Sequence, residues 1–588
     1  MVSARGPVVI IASPSRRFVP PVGVPRAKLV FEMRIPTPRV LHAFAVLLGL
    51  AACTHGPLLQ SNVSADLVIA ATTDVHGRVR GWDYYRNAPD TLGGLARVAT
   101  IIDSLRRVSP LQPVVIDAGD IIQGNPLAFA AARIDSTMPN PSIAAMNVID
   151  YDAAVVGNHE FNYGLNYLDK AVREAEFPFV AANVYRTDGS RRFRNWSLSS
   201  RRGIRVAIVG ATTPGSMVWD RDNLNGRLVV RDIVPEVQAA VRDARGAGVD
   251  VVVVALHSGL DEPSSYDTVT TPIGSENVAA RVAHDVPGID LIVYGHSHKE
   301  MRDTLINGVL LMQPKNWAQS VAVAHLRLEG RNGRFRVLSK RSSLIPVHGH
   351  MESPQVLAAT QEGHRDGVEY ATRAVGTTTV AWRADSARVV DTPLIDFILS
   401  VEAKATGAQL ASTAVFDRSA AFGPGQITVA QLAALYPYDN TLRAVRITGA
   451  QLRAYLERSA RYFRKGADGS YRTDPQIPGY NYDVVSGVDY TIDIDRPIGE
   501  RITKLQYQGR DVIASDTFTM ALNNYRQTGG GGFSMLRDAP VVYDKQQEIR
   551  QLLIDEVRAR GTVNPADYFQ LNWQLVPAAA RMPLLKSP

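Results

Sequence analysis

At 588 residues the chain is too long for one hydrophobic core, so two or more domains are expected. A hydrophobic share of 45% with 21% charged residues is that of an ordinary soluble globular protein. The formal charge of +7 argues against a polyanion-binding body, because residues 1–39 set seven Lys and Arg against Glu32 and so carry +6 of it.

The chain opens on a leader. "MRIPTPR" (33–39) is a positive segment, "VLHAFAVLLGLAA" (40–52) is apolar, and Cys53 follows as the only cysteine. Thirteen residues are too few for a permanent membrane helix, which needs about 20. "LAAC" (50–53) resembles the lipobox of bacterial lipoproteins, which implies lipidation at Cys53 and a place in the cell envelope. Residues 1–32 read as sequence upstream of a start at Met33. With one cysteine there is no disulfide framework, and no other segment is long and apolar enough to cross a membrane.

From residue 66 to about 345, β-rich runs alternate with amphipathic helical stretches, an α/β pattern. The expected strands are 66–74, 113–120, 153–160, 205–213, 250–258 and 290–298, with helices over 94–108 and 234–248. The strands are nearly continuous Val, Ile and Leu, as when both faces are covered. A charged helical connector is expected over 354–375. A second α+β unit follows to about 580, with helices 393–406 and 449–463 and strands 487–495 and 517–525.

Polar residues gather where the strands of the first half end. The ends read "TTDVHG" with Asp74 and His76, "DAGDIIQGN" with Asp120, "GNHEFN" with Asn158, His159 and Asn162, "ALHSGL" with His257, and "YGHSHK" with His296 and His298. A turn alone would use Gly, Asp or Pro, whereas a dense set of donors is costly unless something binds it. In layered α/β folds ligand sites lie at this carboxyl edge. Carboxylate, amide and imidazole donors suit borderline divalent ions such as Mn, Zn, Co or Fe. The donors are too many for one ion, so two are implied, with one carboxylate bridging. Such a pair serves phosphoryl displacement.

The series D-x-H, G-D-x-x-x-G-N, G-N-H-E, H-S-G and G-H-S-H resembles the calcineurin-like metallophosphoesterases, and within them the two-domain bacterial nucleotidases. The resemblance spans nearly all of 65–580. It implies a four-layer αββα catalytic domain (65–347), a helical connector (348–375) and a smaller α+β substrate-specificity domain (376–580), after a leader over 1–53. It also implies that Asp74, His76, Asp120 and His298 hold one ion and Asp120, Asn158, His257 and His296 the other. His298 stands where some nucleotidases use Gln. His159 would stand beside the phosphate as acid or charge stabiliser, grouped with Asn158 and Asn162 in catalysis. The 5'-nucleotidase branch has Asp at the place of Asn162, so "GNHEFNYG" (157–164) resembles instead the branch acting on 2',3'-cyclic nucleotides and 3'-nucleotides. "WDYYRNAPDTLGGLARV" (82–98) and "PGYNYDVVSGVDYTID" (478–493) have the same character.

In the second domain "LYPYDNTL" (435–442) and "LNNYRQTGGGGF" (522–533) resemble the segments whose aromatics sandwich the base. They give Tyr438 and Tyr525 as the stacking pair, with Asn440, Arg526 and Gly530 as further substrate contacts. Gly529 to Gly532 would let the backbone approach a ligand, and Arg418 is a weaker phosphate candidate. No Asp lies within the glycine run, unlike in the 5'-nucleotidases. The sequence is therefore read as an envelope-anchored, dinuclear-metal phosphohydrolase of nucleotides, with no nucleic-acid polymer as partner and no membrane contact besides the lipid. The alternatives are a 5'-nucleotidase or nucleotide-sugar hydrolase on the same metals, a non-catalytic nucleotide-binding lipoprotein, and a thiosulfate-handling dimanganese relative.

Overall fold

The structure, a computed structural model, describes residues 63–586 apart from 263, 265, 267, 269–272 and 439. The leader, its lipobox and Cys53 lie outside the described residues. The first half holds twelve principal strands: β1 (Val63–Thr72), β2 (Val114–Asp117), β3 (Ala153–Val155), β4 (Phe179–Val180), β5 (Trp196–Arg201), β6 (Ile204–Thr212), β7 (Val251–His257), β8 (Leu291–Tyr294), β9 (Met301–Ile306), β10 (Val309–Gln313), β11 (Ser320–Arg331) and β12 (Arg334–Pro346). They form two six-stranded sheets, ordered β12-β11-β1-β2-β3-β4 and β9-β10-β8-β7-β6-β5. Strands β1 to β4 pair in parallel, as do β6, β7, β8 and β10.

The alternation of side chains explains the layers. Leu67, Ile69 and Ala71 of β1 pack with Val251, Val253 and Ala255 of β7 in one apolar layer between the sheets. Val68 and Ala70 face the other way, towards α1 (Leu95–Val108). Val252, Val254 and Leu256 face α2 (Ile233–Gly246) and α3 (Ala279–Asp285). The order is thus helix, sheet, sheet, helix. The run "VVVVALH" has no polar face because it is buried on both sides. The β11–β12 hairpin, closed by Asn332-Gly333 at φ 54° and 73°, is a strand pair the sequence reading did not include.

The helical stretch expected over 354–375 is present over 354–372 as two helices, α4 (Pro354–Ala359) and α5 (Gln361–Thr372). It is docked on the first half: Tyr370 stacks on Phe129, the Tyr84 hydroxyl meets His364 Nδ1 at 2.8 Å, and Arg80 Nε donates to Thr360. Beyond it lie α6 (Pro393–Thr406), started by Pro and stopped by left-handed Gly407, and α7 (Gly449–Ala460), started by a Thr448–Gln451 capping box. They flank a five-stranded sheet of β13 (Leu410–Ala414), β14 (Thr441–Thr448), β15 (Asp483–Ser486), β16 (Thr517–Asn523) and β17 (Val541–Glu548), ordered β15-β13-β16-β14-β17. Among the described residues no helix is long and apolar enough to cross a membrane.

Candidate metal and catalytic site

Because β1, β2, β3, β7 and β8 end at one edge, their following loops meet there, and backbone hydrogen bonds lock them together. Asp74 and His76 N–H groups donate to the carbonyls of Gly119 and Asp120 (2.9 Å each), and His296 N–H donates to the Asp74 carboxylate at 3.1 Å. The motif glycines are required for this closeness: a Cβ on Gly157 would strike the Asp120 carboxylate, and one on Gly295 would strike the Thr73 hydroxyl.

The structure brings all seven sequence-predicted ligands together. Three groups hold donor atoms within 4.8 Å of one another: Asp74, His76 and His298; His76, Asp120 and His159; Asp120, His257 and His296. Asp120 Oδ2 lies between the two ends of the site, 3.0 Å from His257 Nε2 and 3.8 Å from His76 Nε2. His76 Nε2 approaches His298 Nε2 at 3.0 Å, and Asn158 Oδ1 is 3.0 Å from His257 Nε2. The outer ring nitrogens are tied down, His76 Nδ1–H to the Gln123 carbonyl (3.0 Å) and His257 Nδ1–H to that of Ala118 (2.9 Å), which turns each Nε2 inwards.

This donor set fits divalent cations. Burial lowers His76 and His298 to about 3, so both imidazoles are neutral, the form that binds a metal. Burial opposes charge on Asp120, but His257 and His159 beside it hold its carboxyl well below the usual range. Burial likewise opposes charge on His257, yet Asp120 raises it to about 10. A positive charge is therefore held at Asp120, which a cation would replace.

His159 is placed at the mouth of this cluster, its Nε2 4.0 Å from Asp120 Oδ2 and its Nδ1 2.6 Å from Asn162 Oδ1. Burial works against its charge, but Asp120, Asn162 and Asp220 outweigh that and raise its pKa.

Sequence reasoning missed several residues of the site. Glu160, wholly buried, accepts N–H bonds from Gly157 (2.6 Å), Asp120 (2.9 Å), Ile121 (2.6 Å) and Ile122 (3.2 Å), stapling two ligand loops together. Glu276 Oε1 meets His296 Nε2 at 2.8 Å, and Trp219 stacks on the His296 ring at 5.5 Å. Asp220 accepts from Asn162. Glu160 stood inside the quoted motif and could have been found there. Nothing in the spacing singled out Glu276 or Asp220.

On the substrate side the outcome divides. Tyr438 is half-buried against Phe416 (5.2 Å) and Tyr480 (6.4 Å); burial pushes its phenol up to about 12, with Tyr525 and Tyr85 adding to the shift. Burial also raises Tyr480, with Tyr438, Tyr525 and Glu276 contributing. Asn440 is half-buried, its carbonyl accepting from Ile549 N–H. Two expectations need correction. Arg526 is 1% exposed and pairs with Asp483 at 2.6 and 2.8 Å, so it supports the loop and is sealed from any ligand. Gly530, also buried, gives its carbonyl to Arg526, and the glycine run closes on the chain's own Arg526, Asn481 and Arg458. Arg418 is turned to the Leu585 carbonyl.

Comparisons with known proteins agree with this geometry. Residues 67–300 match the family model of the calcineurin-like phosphoesterases, and residues 374–538 match that of the 5'-nucleotidase C-terminal domain. The 2',3'-cyclic-nucleotide 2'-phosphodiesterase/3'-nucleotidase of Haemophilus influenzae is 32% identical over 596 residues, covering 88% of this chain and 89% of that protein. The trifunctional nucleotide phosphoesterase protein YfkN of Bacillus subtilis is 30% identical over 580 residues; the match takes in 87% of this chain but 39% of that longer protein. Among solved structures, a 5'-nucleotidase candidate from Staphylococcus aureus in complex with alpha-ketoglutarate superposes with a TM-score of 0.75 at 27% identity, covering 87% of this chain and 100% of that one.

Proposed function

This chain belongs to the two-domain nucleotidase family of calcineurin-like phosphoesterases and is a metal-dependent phosphoester hydrolase, and from that premise we propose that it opens 2',3'-cyclic nucleotides to 3'-nucleotides and then removes the 3'-phosphate. The observation that carries the reading is Asp120 set between two groups of ligands, with His159 on the rim. Residues 65–347 act as the catalytic domain, 348–375 as connector and 376–580 as the substrate domain.

Asp74, His76, Asp120 and His298 would hold one divalent ion, and Asp120, Asn158, His257 and His296 the other. Such ions supply Lewis acidity towards the phosphoryl oxygens and towards water. His159, its Nδ1–H held by Asn162, presents Nε2 to the phosphate and gives its proton to the departing ribose oxygen. In the first reaction the P–O2' bond breaks and water's oxygen stays on phosphorus; in the second the P–O3' bond breaks, leaving nucleoside and phosphate. Tyr438 and Tyr525 take the base by stacking, which tolerates any base. Asn162 in place of Asp and the Asp-free glycine run favour this substrate class over 5'-nucleotides. The name of the Haemophilus relative points the same way.

The test is phosphate release by the purified protein with Mn(II) from 3'-AMP, 5'-AMP and 2',3'-cyclic AMP, with chromatography for 3'-AMP made from the last. Turnover of the cyclic and 3' compounds, abolished by EDTA and by Asp120→Asn, is expected. Preference for 5'-AMP would overturn the substrate assignment. We also place the protein in the cell envelope through a lipid on Cys53, as "LAAC" suggests; Cys53→Ser should then release it from the membrane fraction.

A further inference from the structure

In this chain the group next to the catalytic histidine is an amide, and an amide can face either way. His159 Nδ1 is 2.6 Å from Asn162 Oδ1, and Asn162 Nδ2 donates to Asp220 Oδ1 at 2.8 Å. Rotating that amide by half a turn would set its NH₂ against the imidazole and its oxygen against the carboxylate. Burial raises the Asp220 carboxyl to about 7, with Asn162 and His159 working against the shift. Above that pH it is a carboxylate that only accepts, so it requires the NH₂ to face it and the oxygen to face His159. That in turn fixes Nδ1–H as the donor to Asn162 and leaves Nε2, with the proton it gives to the departing oxygen, facing the reacting phosphate. Asp220 is 6% exposed and lies at the start of the short helix Arg221–Leu224.

That helix is itself fixed from both sides. Asn223 Nδ2 donates to the carbonyls of Phe161 (3.0 Å) and Asn162 (3.4 Å), holding the backbone beneath the amide. Asp222 receives both arms of its bond from one Arg443 nitrogen (2.5 and 2.7 Å), and Arg443 lies on β14 of the second half. A carboxylate adjacent to the histidine is thus not missing from this site; it stands one residue further out, behind Asn162.

We propose that Asp220 is a positioning residue of the catalytic site: it orients the Asn162 amide so that His159 Nδ1–H is held and Nε2 is presented to the phosphate, forming a His159–Asn162–Asp220 relay. The proposal rests on the reading of His159 as the residue beside the phosphate. The Asp220 carboxylate thus acts on His159 at a distance, through a neutral amide.

The test compares full-length wild type, Asp220→Asn and the double variant N162D/D220N, which moves the carboxylate next to His159 while keeping every atom position. The readouts are kcat, KM and Mn(II) affinity by titration. Asp220→Asn should lower kcat on the order of 10- to 100-fold, with KM and Mn(II) affinity within about twofold of wild type. The double variant should regain kcat to within about threefold of wild type. Unchanged kcat in Asp220→Asn overturns the proposal. So does a loss matched by an equal fall in Mn(II) affinity, or one the double variant does not recover. Should Asp220→Asn fail to fold, the double variant decides alone, with near-wild-type kcat in support and a 10-fold loss against. All three proteins are also assayed on bis(p-nitrophenyl) phosphate. Wild type that hydrolyses this ester but not the cyclic nucleotide would overturn the substrate assignment and leave the relay comparison intact.

Discussion

Glu160→Gln should loosen the site without touching a ligand. The Glu160 carboxylate is wholly buried and takes four N–H bonds, Oε2 from Gly157 and Asp120, Oε1 from Ile121 and Ile122. Gln keeps the shape but offers one oxygen and one NH₂, so two of the four N–H groups would face a donor. Each charge-assisted bond contributes roughly 1.5–3 kcal/mol and each buried N–H left without an acceptor costs about 1–3 kcal/mol. Part of that overlaps, and relaxation of the loops recovers some, so a loss of about 3–6 kcal/mol is expected, which is large against a net stability of about 5–15 kcal/mol. The loss should be local. Hydrogen exchange at the amides of Gly157 and 120–122 should accelerate, and Mn(II) affinity should fall because Asp120 and Asn158 sit on those loops. Glu160→Asp, which retains the charge but falls short by one methylene, should be intermediate. Amides as protected as in wild type, with unaltered metal affinity, would refute the staple.

Other expectations follow from the same geometry. In the metal-free protein His257 is raised to about 10, so its contribution to stability is full below pH 6.5 and lost as pH rises through 10. The metal-free melting temperature should fall between pH 7 and 10 while the Mn(II)-loaded one holds, and loading should release a proton, measurable by calorimetry in buffers of different ionisation enthalpy. Glu276→Gln keeps a hydrogen bond to His296 but removes its charge, and should weaken Mn(II) binding about 10-fold, read by titration. Tyr438→Ala or Tyr525→Ala should raise KM for 3'-AMP by roughly 5- to 150-fold, the equivalent of 1–3 kcal/mol of stacking, and leave turnover of p-nitrophenyl phosphate unchanged. Arg443→Met, which unpairs Asp222, should speed amide exchange in 220–224 ahead of the rest of the sheet.

The site was legible because its signal is local. His257 closes an apolar strand, and Asp74, His76, Asp120, Asn158, His159, His296 and His298 lie within a few residues beyond one; parallel pairing brings the ends of neighbouring strands to the same edge. The helices over 94–108 and 393–406 were legible for the same reason, with periodicity and termini written in adjacent residues. What escaped depends on distance in sequence. Glu276 lies 20 residues before its His296 partner, and Asp220 lies 58 after Asn162. The direction of Arg526 escaped for another reason: only the buried Asp483 decides whether a polar residue on a glycine-rich turn faces ligand or core.

Five of the expected ligands sit on strained backbone. Among the described residues thirteen non-glycine positions have positive φ, and five of them are Asp74 (49°), His76 (49°), Asp120 (64°), His296 (72°) and His298 (55°). Left-handed backbone costs each such residue about 1 kcal/mol. Five in one site come to about 5 kcal/mol, similar to the whole net stability of a small domain. The conformation therefore persists only because the surroundings over-determine it: Glu160 beneath two loops, the Asp74 carboxylate on the His296 N–H, and the Gly119 and Asp120 carbonyls on the first loop. Alternation along an extended strand would by itself put the outer residues of D-x-H and H-S-H on one face. The left-handed backbone instead turns the chain at the strand's end, so that the N–H groups of Asp74, His76 and His296 meet the neighbouring loops. The strain is thus the condition for that crossing of the loops, which leaves the donor atoms of Asp74, His76 and His298 within 4.8 Å of one another.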